Sequence, residues 1–513
     1  MLKTLFISSS SACFEWKNES PYYAEKEYTI YLNGKEVLSS DTNVFSLFGL
    51  TPDTEYKLTC SHDGAGTVTF KTIKDTCTVN VKDFGAVGDG ETDDTVAIQT
   101  AINCLPRNGK LYFPKGTYLS APLNLKSHIV LEFSENAILL GHTDTSKYPV
   151  IPGHTLDMHS GDDLEFGTWE GNSVVMHQAL IFAQYAEDIT IIGPGTIDGN
   201  AQNSTWWQNP KAPVGRPRLL FFNRCNDIRV HGVTVRNAAS WQIHPYYSNN
   251  IDLLDISIFA PKDSPNTDAI DPEACDMVNI IGCKFSVGDD CIAIKSSKID
   301  MASKYKTPAN RHTIRNCLMQ FGHGAVTLGS EMSGGVTNLT VNKCVFRQTD
   351  RGLRIKTRRG RGKYAIIDGV LFENIKMEGV ITPIAINMWY NCCDPDRYSE
   401  YVWSRDSLPV DDRTPYLGEF TFKNMECLNC EAAACYCDGL PEQPIKSIRF
   451  DNIRFTFAND AKPFIPIMKN FAEPVCKMGM YLDNVETLIV RNITIEGNDG
   501  DKIIANNVKK IIK

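Results

Sequence analysis

Four short polar segments interrupt otherwise apolar, strand-like stretches of the sequence. They are Asn266-Thr267-Asp268, Gly288-Asp289-Asp290, Gly322-His323-Gly324 and Arg354-Ile355-Lys356. Successive segments are separated by intervals of about twenty to thirty-five residues. If each interval is one coil of a repeat, the four segments lie beside one another along a single cleft.

Three residues of these segments are acids: Asp268, Asp289 and Asp290. Carboxylates that are held together raise at least one pKa, so that one acid stays protonated while another is ionised. Hydrolysis of a glycosidic bond needs both states, an acid for the leaving oxygen and a base for water. We therefore predict a catalytic site built from these three aspartates.

A basic run indicates the kind of substrate. It consists of Arg354, Lys356, Arg358, Arg359, Arg361 and Lys363. Such runs are usually solvated surface, but Arg354 and Lys356 are two apart on a predicted strand and so face one side. Both side chains could bind a uronate carboxylate. Since the net charge is −9, we predict that this run, including Arg359, supplies the local positive charge for an acidic polysaccharide.

The element that positions these residues is predicted from a repeat. From about residue 180 onward, strand-like runs such as DIRVHGVTVRNA and TNLTVNKCVFRQ recur, each built around Gly, Asn or Asp. A single coil of this kind cannot bury its apolar face, whereas stacked coils bury a continuous column. We predict an all-β chain whose residues 76–513 form a right-handed parallel β-helix.

Residues 1–75 are predicted to form a separate small β-sandwich. Their β-prone runs are separated by turn signals at Asn33-Gly34 and Asp63-Gly64. The segment 49–56, GLTPDTEY, resembles the corner of fibronectin type III domains at which a tyrosine locks the sandwich. After a linker near residues 74–76, DDTVAIQTAINCL has helical periodicity and is predicted to cap the first coil.

Composition and charge exclude other classes. A hydrophobic fraction of 42% and a charged fraction of 22% are typical of globular proteins. The negative net charge argues against binding to nucleic acid or to an anionic membrane. The sequence contains no run of about 18 apolar residues, so no membrane span is expected.

The N-terminus and the cysteines predict a location. MLKTLFISSSSACFEW has no uninterrupted apolar stretch, which predicts a cytoplasmic protein, or a secreted or periplasmic one if a leader was removed. The 17 scattered cysteines indicate free thiols in a reducing compartment. For the cluster Cys427, Cys430, Cys435 and Cys437 we favour thiols on stacked strands over a zinc site. No cofactor and no metal are predicted.

In their order, the four motifs resemble those of glycoside hydrolase family 28, the polygalacturonases. The segments VKDFGAVGDGETDDTVAIQTAI and ITIIGPGTIDGN are also similar to this family, and the resemblance covers about residues 78–513. It implies an inverting hydrolysis of α-1,4-galacturonosyl bonds in polygalacturonate or oligogalacturonides, without a cofactor. The substrate partner is then a galacturonate-containing chain.

The resemblance also implies roles for the acids. Asp289 is the general acid, Asp268 and Asp290 activate the water, and His323 supports the protonation state or geometry of the acid. Inverting enzymes place their carboxyl groups about 6.5–9.5 Å apart, and we expect that separation here.

Substrate binding is predicted at both sides of the acids. By the same resemblance, Arg354 and Lys356 hold the carboxylate beyond the scissile bond, and Asn266 belongs to the binding residues. Trp241 and His244, just before the first catalytic coil, are candidates for the subsite of the terminal sugar. Packing of these two side chains in the core beneath the cleft is the alternative.

An exo mode of attack is expected from the extra domain and from long loops. An N-terminal fibronectin-like module before this catalytic domain resembles bacterial exo-polygalacturonases. The segments long enough to wall off a cleft are 154–178, 201–218, 298–311 and 389–417. Their aromatic residues could pack against sugar rings or anchor the loops; they are Trp169, Trp206, Trp207, Trp389, Tyr390 and Trp403.

Several alternatives stay open. Within the fold they are endo attack, or hydrolysis of xylogalacturonan or rhamnogalacturonan. A pectate lyase needs a calcium site and leaves the three acids unexplained. A non-catalytic β-helix, such as an adhesin, requires only an Asn/Asp ladder at its turns, a role that we assign to Asn226, Asn249 and Asn338.

Overall fold

A computed structural model describes residues 1–62, 64, 66–156, 163–391 and 399–513. The predicted turn residue Asp63 and parts of the segments 154–178 and 389–417 lie outside the described residues. The N-terminal strands are β1 (Leu2–Ile7), β2 (Ser11–Trp16), β3 (Tyr23–Leu32), β4 (Lys35–Thr42), β5 (Val44–Phe48), β6 (Glu55–Cys60) and β7 (Val68–Lys71).

These N-terminal strands form two antiparallel sheets, ordered β1-β2-β5 and β4-β3-β6-β7. Phe14, Tyr28 and Phe45 are buried among their apolar side chains. At the corner that was singled out in the sequence, the backbone N–H of Thr51 donates to the hydroxyl oxygen of Tyr56 at 2.9 Å. The tyrosine therefore holds the turn to the strand that follows it.

The rest of the chain consists mainly of short strands. The first part has β8 (Thr78–Asn80), β9 (Asp89–Asp93), β10 (Gly109–Phe113), β11 (Gly116–Ser120), β12 (Leu123–Asn124), β13 (Ile129–Phe133), β14 (Ala137–Gly141), β15 (Val150–Ile151), β16 (His154–Leu156), β17 (Asp163–Glu165), β18 (Thr168–Trp169), β19 (Asn172–Ser173), β20 (Met176–His177), β21 (Ile181–Gln184), β22 (Glu187–Ile192), β23 (Thr196–Asp198), β24 (Leu220–Asn223), β25 (Asn226–His231) and β26 (Thr234–Arg236). The second part has β27 (Ile243–Tyr246), β28 (Asn249–Leu254), β29 (Ser257–Phe259), β30 (Asp276–Ile281), β31 (Lys284–Val287), β32 (Ile292–Ile294), β33 (Ala309–Arg315), β34 (Leu318–Phe321), β35 (Val326–Gly329), β36 (Val336–Asn342), β37 (Val345–Arg347), β38 (Arg351–Lys356), β39 (Ile366–Glu378), β40 (Thr382–Asn387), β41 (Tyr416–Leu417), β42 (Glu419–Cys430), β43 (Ala433–Asp438), β44 (Ile445–Phe457), β45 (Met478–Glu496) and β46 (Asp499–Ile512). The α-helices are α1 (Thr95–Cys104), α2 (Ile299–Tyr305) and α3 (Glu400–Trp403), and 3-10 turns span Val81–Phe84, Thr145–Lys147 and Ala201–Asn203.

The chain after the sandwich winds into a right-handed parallel β-helix, as predicted. A coil contributes a strand to each of three parallel sheets; β25, β26 and β27 make up one such coil, and β36, β37 and β38 make up another. The sheet that carries the four polar motifs, here called the floor sheet, contains β12, β21, β24, β27, β32, β35, β38, β40 and β43.

Register on the floor sheet fixes which side chains face outward. Ile292, Val326, Leu353 and Ile384 are aligned on neighbouring strands and are fully buried in one continuous core. Because side chains alternate along a strand, the residue after each of these points away from the core. This alternation brings Arg354 to the outer face.

Helix α1 closes the N-terminal end of the stack, as its periodicity predicted. Ile98, Ala101 and Ile102 are fully buried and belong to the β-helix core. The helix therefore covers apolar groups that the first coil would otherwise expose.

The sandwich packs directly on the β-helix. Glu15 forms two hydrogen bonds to the Arg315 guanidinium, at 2.6 and 2.9 Å. His231 of the β-helix contacts the hydroxyls of Ser11 and Ser46 at 3.3 and 2.8 Å. Since Glu15 and His231 are buried, the contact is a shared polar interior.

Two further features that the sequence analysis singled out are the asparagine ladders at the turns and the cysteine thiols. Asn249 donates to Asn226 at 3.0 Å, and Asn338 donates to Asn310 at 2.9 Å, which is the ladder role predicted for these asparagines. Within the described ranges the cysteines are free thiols, and the Sγ atoms of Cys435 and Cys437 are 3.3 Å apart. Among the described helices none has the length and apolar character of a membrane span.

Candidate active site

The four motifs lie within or directly beside the strands and bridges of the floor sheet on neighbouring coils. Asp289 and Asp290 precede β32, His323 precedes β35, and Arg354 is within β38. Gly324 allows these coils to approach, because a side-chain carbon at its position would be 2.9 Å from Oδ1 of Asp290.

The three aspartates converge. One carboxylate oxygen each from Asp268, Asp289 and Asp290 lies within 4.8 Å of the others. Asp268 and Asp290 are buried, whereas Asp289 is partly exposed. The three oxygens are close because two of the acids are adjacent in sequence and the third lies on the neighbouring coil.

Asp290 is held by two cations. Nη1 of Arg354 is 2.9 Å from Oδ1, and Nζ of Lys356 is 2.9 Å from Oδ2. Burial alone would raise the pKa of Asp290, but the charges of Lys356 and Arg354 outweigh it and lower this pKa. The two cations therefore favour the ionised form of Asp290.

Asp268 is the acid of the cluster that binds a proton most strongly. Burial, followed by the charges of Asp271 and Asp289, raises the pKa of Asp268 well above its ordinary value. For Asp289 burial acts in the same upward direction, but the hydrogen bond with His323 outweighs it and lowers the pKa. The contact with His323 therefore favours the ionised form of Asp289.

His323 is the partner of Asp289. Its Nδ1 atom is 3.3 Å from Oδ1 of Asp289, and the imidazole is about half exposed. The hydrogen bond to Asp289 raises the pKa of His323 although burial opposes this. A protonated His323 is therefore a second acid within reach of the cluster.

The cavity around the acids has a volume of about 270 Å³. Its lining comprises Glu170, Trp241, Asn266, Asp268, Asp289, Asp290, Lys295, His323, Ser330, Glu331, Arg354, Lys356, Tyr390 and Met468. The arrangement combines a neutral carboxyl group, ionised carboxylates and paired cations. Since both oxygens of Asp290 already accept from cations, the cluster suits proton transfer better than metal ligation.

A hairpin of β18 and β19, here called the wall hairpin, contributes Glu170 to the lining at one end of the cavity, here called the closed end. Its turn residues Glu170 and Gly171 both have positive φ, 47° and 71°. Gly171 lies so close to the floor that a side-chain carbon there would be 2.8 Å from the Lys298 backbone nitrogen and 3.0 Å from Cγ of Glu331. The wall therefore rests directly on the cleft floor.

A buried arginine anchors the wall hairpin. Arg218 donates to the Thr168 carbonyl at 2.9 Å and to the Ser240 hydroxyl at 2.8 Å. Its guanidinium also lies 3.8 Å from the Trp241 ring and 4.6 Å from the Trp169 ring. These contacts fix the hairpin against the strand that leads into the site.

Beneath the wall, Lys295 connects the acids. Its Nζ lies 3.3 Å from Asp271 and 3.5 Å from Glu331, and 4.6 Å from the centre of the Trp241 ring. The neighbouring charges outweigh burial and hold the pKa of Lys295 well above its usual range. The closed end therefore has a fixed positive charge at Lys295, next to the carboxylates of Asp271 and Glu331.

Two predicted binding residues lie elsewhere. His244 is fully buried beneath the cleft, where Nε2 is 3.2 Å from Glu273 and the ring stacks on Phe221. Arg359 is also buried: it pairs with Glu442 at 2.6 Å and donates to the Ser404 carbonyl at 2.6 Å. The assignment of both residues to substrate contact is corrected: His244 packs in the core beneath the cleft, which was the stated alternative, and Arg359 is enclosed by its contacts with Ser404, Asp406 and Glu442.

The remaining members of the basic run also lie away from the cavity. Arg358 and Arg361 are buried, and Lys363 pairs with Asp412 on the surface. Only Arg354 and Lys356, among the run's described residues, line the cavity. The run therefore mixes site cations with structural ones.

Trp241 and Asn266 do line the cavity. The Asn266 side-chain oxygen accepts from Arg216 at 2.6 Å, and the same guanidinium donates to the Pro265 carbonyl at 2.9 Å. Arg216 thereby orients the asparagine beside Asp268.

Sequence reasoning missed Lys295, Glu331 and Glu170. Lys295 could have been found from the sequence, because it is a charged residue directly after the apolar run CIAI, three residues after the start of β32. Glu331 and Glu170 are in turns without periodicity, and only the fold brings them to the cavity.

Comparisons with known proteins agree with this geometry. The family described as "Glycosyl hydrolases family 28" matches residues 131–398. A Vitis vinifera protein named "Probable polygalacturonase" is 32% identical over 394 residues, covering 74% of this chain and 74% of that protein.

Solved structures show the same architecture. An exopolygalacturonase from Thermotoga maritima superposes with a TM-score of 0.63 at 26% identity, covering 78% of this chain and 95% of that chain. A family 28 exopolygalacturonase from Yersinia enterocolitica gives a TM-score of 0.74 at 21% identity, covering 99% of this chain and 98% of that chain. The second match shares the fold, including the N-terminal residues.

Proposed function

We propose that this chain, which belongs to glycosyl hydrolase family 28, hydrolyses α-1,4-galacturonosyl bonds of polygalacturonate and oligogalacturonides from the non-reducing end. The names of the Vitis, Thermotoga and Yersinia proteins support the substrate class. The residues support it independently, since Arg354 and Lys356 place two cations at the cavity, where a uronate carboxylate can be bound.

The three aspartates have different roles in the proton transfers. Asp290 is fixed in its ionised form by Arg354 and Lys356 and serves as base towards water. Asp268 holds the cluster's proton, and ionised Asp289 lies within 4.8 Å. Asp268 orients the water, and Asp290 takes the proton of the water. Protonated His323, whose Nδ1 lies 3.3 Å from Asp289, supplies through Asp289 the proton that is donated to the leaving oxygen.

Water is the nucleophile in this scheme. Both oxygens of Asp290 accept from cations, and Asp268 is neutral in the free site, so neither is an effective nucleophile towards the sugar carbon. Direct attack by water gives a single displacement with inversion. No cofactor is needed for these steps.

The wall hairpin is the observation that carries the exo mode. By family resemblance, Arg354 and Lys356 bind on the leaving-group side of the scissile bond. The closed end with Glu170 and Glu331 is then on the glycosyl side, so the chain enters with its non-reducing terminus against the wall. We propose galacturonate monomer as the product.

Product chromatography tests the proposal. Purified polygalacturonate and reduced trigalacturonate are incubated with the wild type and with Asp289→Asn as the inactive control. We expect monomer from the earliest time point, with little early loss of viscosity. A ladder of oligomers would contradict exo attack, and no cleavage of either substrate would contradict the activity itself.

A second assay, run with and without a chelator, distinguishes hydrolysis from elimination. Activity that disappears with EDTA and yields products absorbing in the ultraviolet indicates a lyase. Activity that is unchanged in EDTA, without such absorbance, is the expected result.

A further inference from the structure

The closed end of the cavity is rich in hydrogen-bond acceptors. Glu170 projects from the turn of the wall hairpin, and Glu331 lies below it; both line the cavity. Glu331 already interacts with protein groups, because its Oε1 accepts from Ser330 at 2.7 Å and its Oε2 lies 3.5 Å from Lys295. Glu170 has a hydrogen bond with the Trp169 side chain, and its two carboxylate oxygens retain acceptor sites for a ligand.

The terminal sugar of a polygalacturonate chain differs from every internal sugar in one group. Its O4 carries a free hydroxyl, whereas O4 of an internal sugar is part of the next glycosidic bond. An exo enzyme must distinguish these two states, and a hydroxyl that donates to a carboxylate forms a strong, charge-assisted hydrogen bond. A carboxylate at the closed end is suited to this distinction.

We propose that Glu170 is a specificity-determining residue that accepts a hydrogen bond from the free 4-hydroxyl of the non-reducing terminal galacturonate. The proposal rests on the exo function proposed above. Gly171 supports it, since the close contact of this residue with Lys298 and Glu331 fixes the turn that presents Glu170. Chains whose terminal sugar lacks the hydroxyl are then poor substrates.

The local charges are compatible with this role. Burial, and then the charge of Glu331, raises the pKa of Glu170, while Lys298 and Lys295 lower it. A donating hydroxyl favours the ionised form. The two lysines also reduce repulsion between Glu170 and the carboxylate of the terminal sugar.

A substrate pair isolates the 4-hydroxyl. Saturated trigalacturonate has the hydroxyl, and Δ4,5-unsaturated trigalacturonate, formed by β-elimination, lacks it. We expect the wild type to have a kcat/KM at least about tenfold higher on the saturated trimer. The unsaturated ring also differs in shape, but this difference is common to all variants and cancels when their ratios are compared.

Glu170→Gln is the test variant, and Asp300→Asn is the matched control because Asp300 is an exposed acid just after Lys298. We expect Glu170→Gln to lose about 10–100-fold in kcat/KM on the saturated trimer and to change little on the unsaturated one. Asp300→Asn retains the wild-type ratio. Melting curves of the variants identify a folding defect. A Glu170→Asp variant, which keeps the carboxylate, should restore part of the preference for the saturated trimer.

Two results would overturn the assignment: equal cleavage of both trimers by the wild type, or an undiminished preference in folded Glu170→Gln. Failure of the exo function has a different signature. It appears as internal fragments, or no cleavage, when the wild type acts on saturated substrate alone.

Discussion

Lys356 and Asp290 form a 2.9 Å ion pair in the middle of the cleft. The sequence predicted Lys356 as a substrate ligand, and the structure gives it an additional partner inside the protein. The same ammonium group can hold a substrate carboxylate and keep Asp290, the proposed base, ionised. Substrate binding and base strength are thus coupled through one side chain.

Replacing Lys356 tests this coupling. In Lys356→Met the Asp290 carboxylate loses a cation, so its pKa rises and the acid limb of the kcat/KM–pH profile moves to higher pH. We expect KM to increase and kcat to fall, each by about tenfold or more.

The matched control is Lys363→Met, which removes an exposed lysine of the same basic run that pairs with Asp412. Its pH profile should coincide with that of the wild type. An unchanged acid limb in Lys356→Met would show that this lysine does not set the ionisation of Asp290.

Asp271 provides a test at alkaline pH. Its charge, after burial, raises the pKa of Asp268. In Asp271→Asn that charge is absent, the pKa of Asp268 falls, and the cluster loses its proton at a lower pH. The alkaline limb of kcat/KM should therefore move to lower pH, as measured on oligogalacturonate over a series of buffers. A shift to higher pH, or none, would refute the assignment of the proton to Asp268.

Gly171 provides a test of the wall. In Gly171→Ala the new carbon meets the Lys298 backbone and Glu331, so the hairpin must lift from the floor. We expect a smaller fraction of monomer among early products and the appearance of longer fragments.

Gly34→Ala is the control for Gly171→Ala, because it also has a positive φ but nothing within 4 Å of the added carbon. It should leave the product pattern unchanged. A wall variant that still releases monomer alone would show that closure at this end does not determine the mode of attack.

Much of the fold could be predicted because strand-like runs recur in the sequence with the period of one coil. The recurrence of strand-like runs gave the β-helix, and the helical segment after Thr92 gave the cap α1. The motif spacing placed Asp268, Asp289 and His323 along one cleft. These relations depend on neighbouring coils, and a coil is short enough to leave a signal in sequence.

The closed end could not be predicted in the same way. Glu170 and Glu331 are far apart in the chain and meet only because a loop folds back over the floor sheet. Arg359 shows the converse: its charge pointed to the substrate, but burial by the segment that carries Ser404 gave it a structural role. Side-chain type indicates possible chemistry, whereas loop placement decides whether a ligand reaches it.

Arg359 yields a prediction about stability. Arg359→Met leaves Glu442 buried without its cation, which costs about 3–5 kcal/mol of unfolding free energy. Below the melting temperature KM for oligogalacturonate should be close to that of the wild type.

Denaturant unfolding together with steady-state kinetics checks the Arg359 prediction. The double variant Arg359→Met with Glu442→Gln removes the unpaired charge and should recover part of the lost stability. A large rise in KM without loss of stability would restore Arg359 to the substrate-binding residues.

The stereochemistry of the product tests the assignment of water as nucleophile. Separations below 5 Å would, for a simple pair of carboxylates, fit a retaining enzyme that forms a covalent intermediate. Here Asp290 is occupied by Arg354 and Lys356, and burial favours the neutral form of Asp268, so we expect inversion. Proton NMR of the first turnovers should show β-galacturonate from the α-linked substrate, before mutarotation mixes the anomers. Initial formation of the α-anomer would show that one of the aspartates attacks the sugar directly, and the division of roles among the three acids would have to be reassigned.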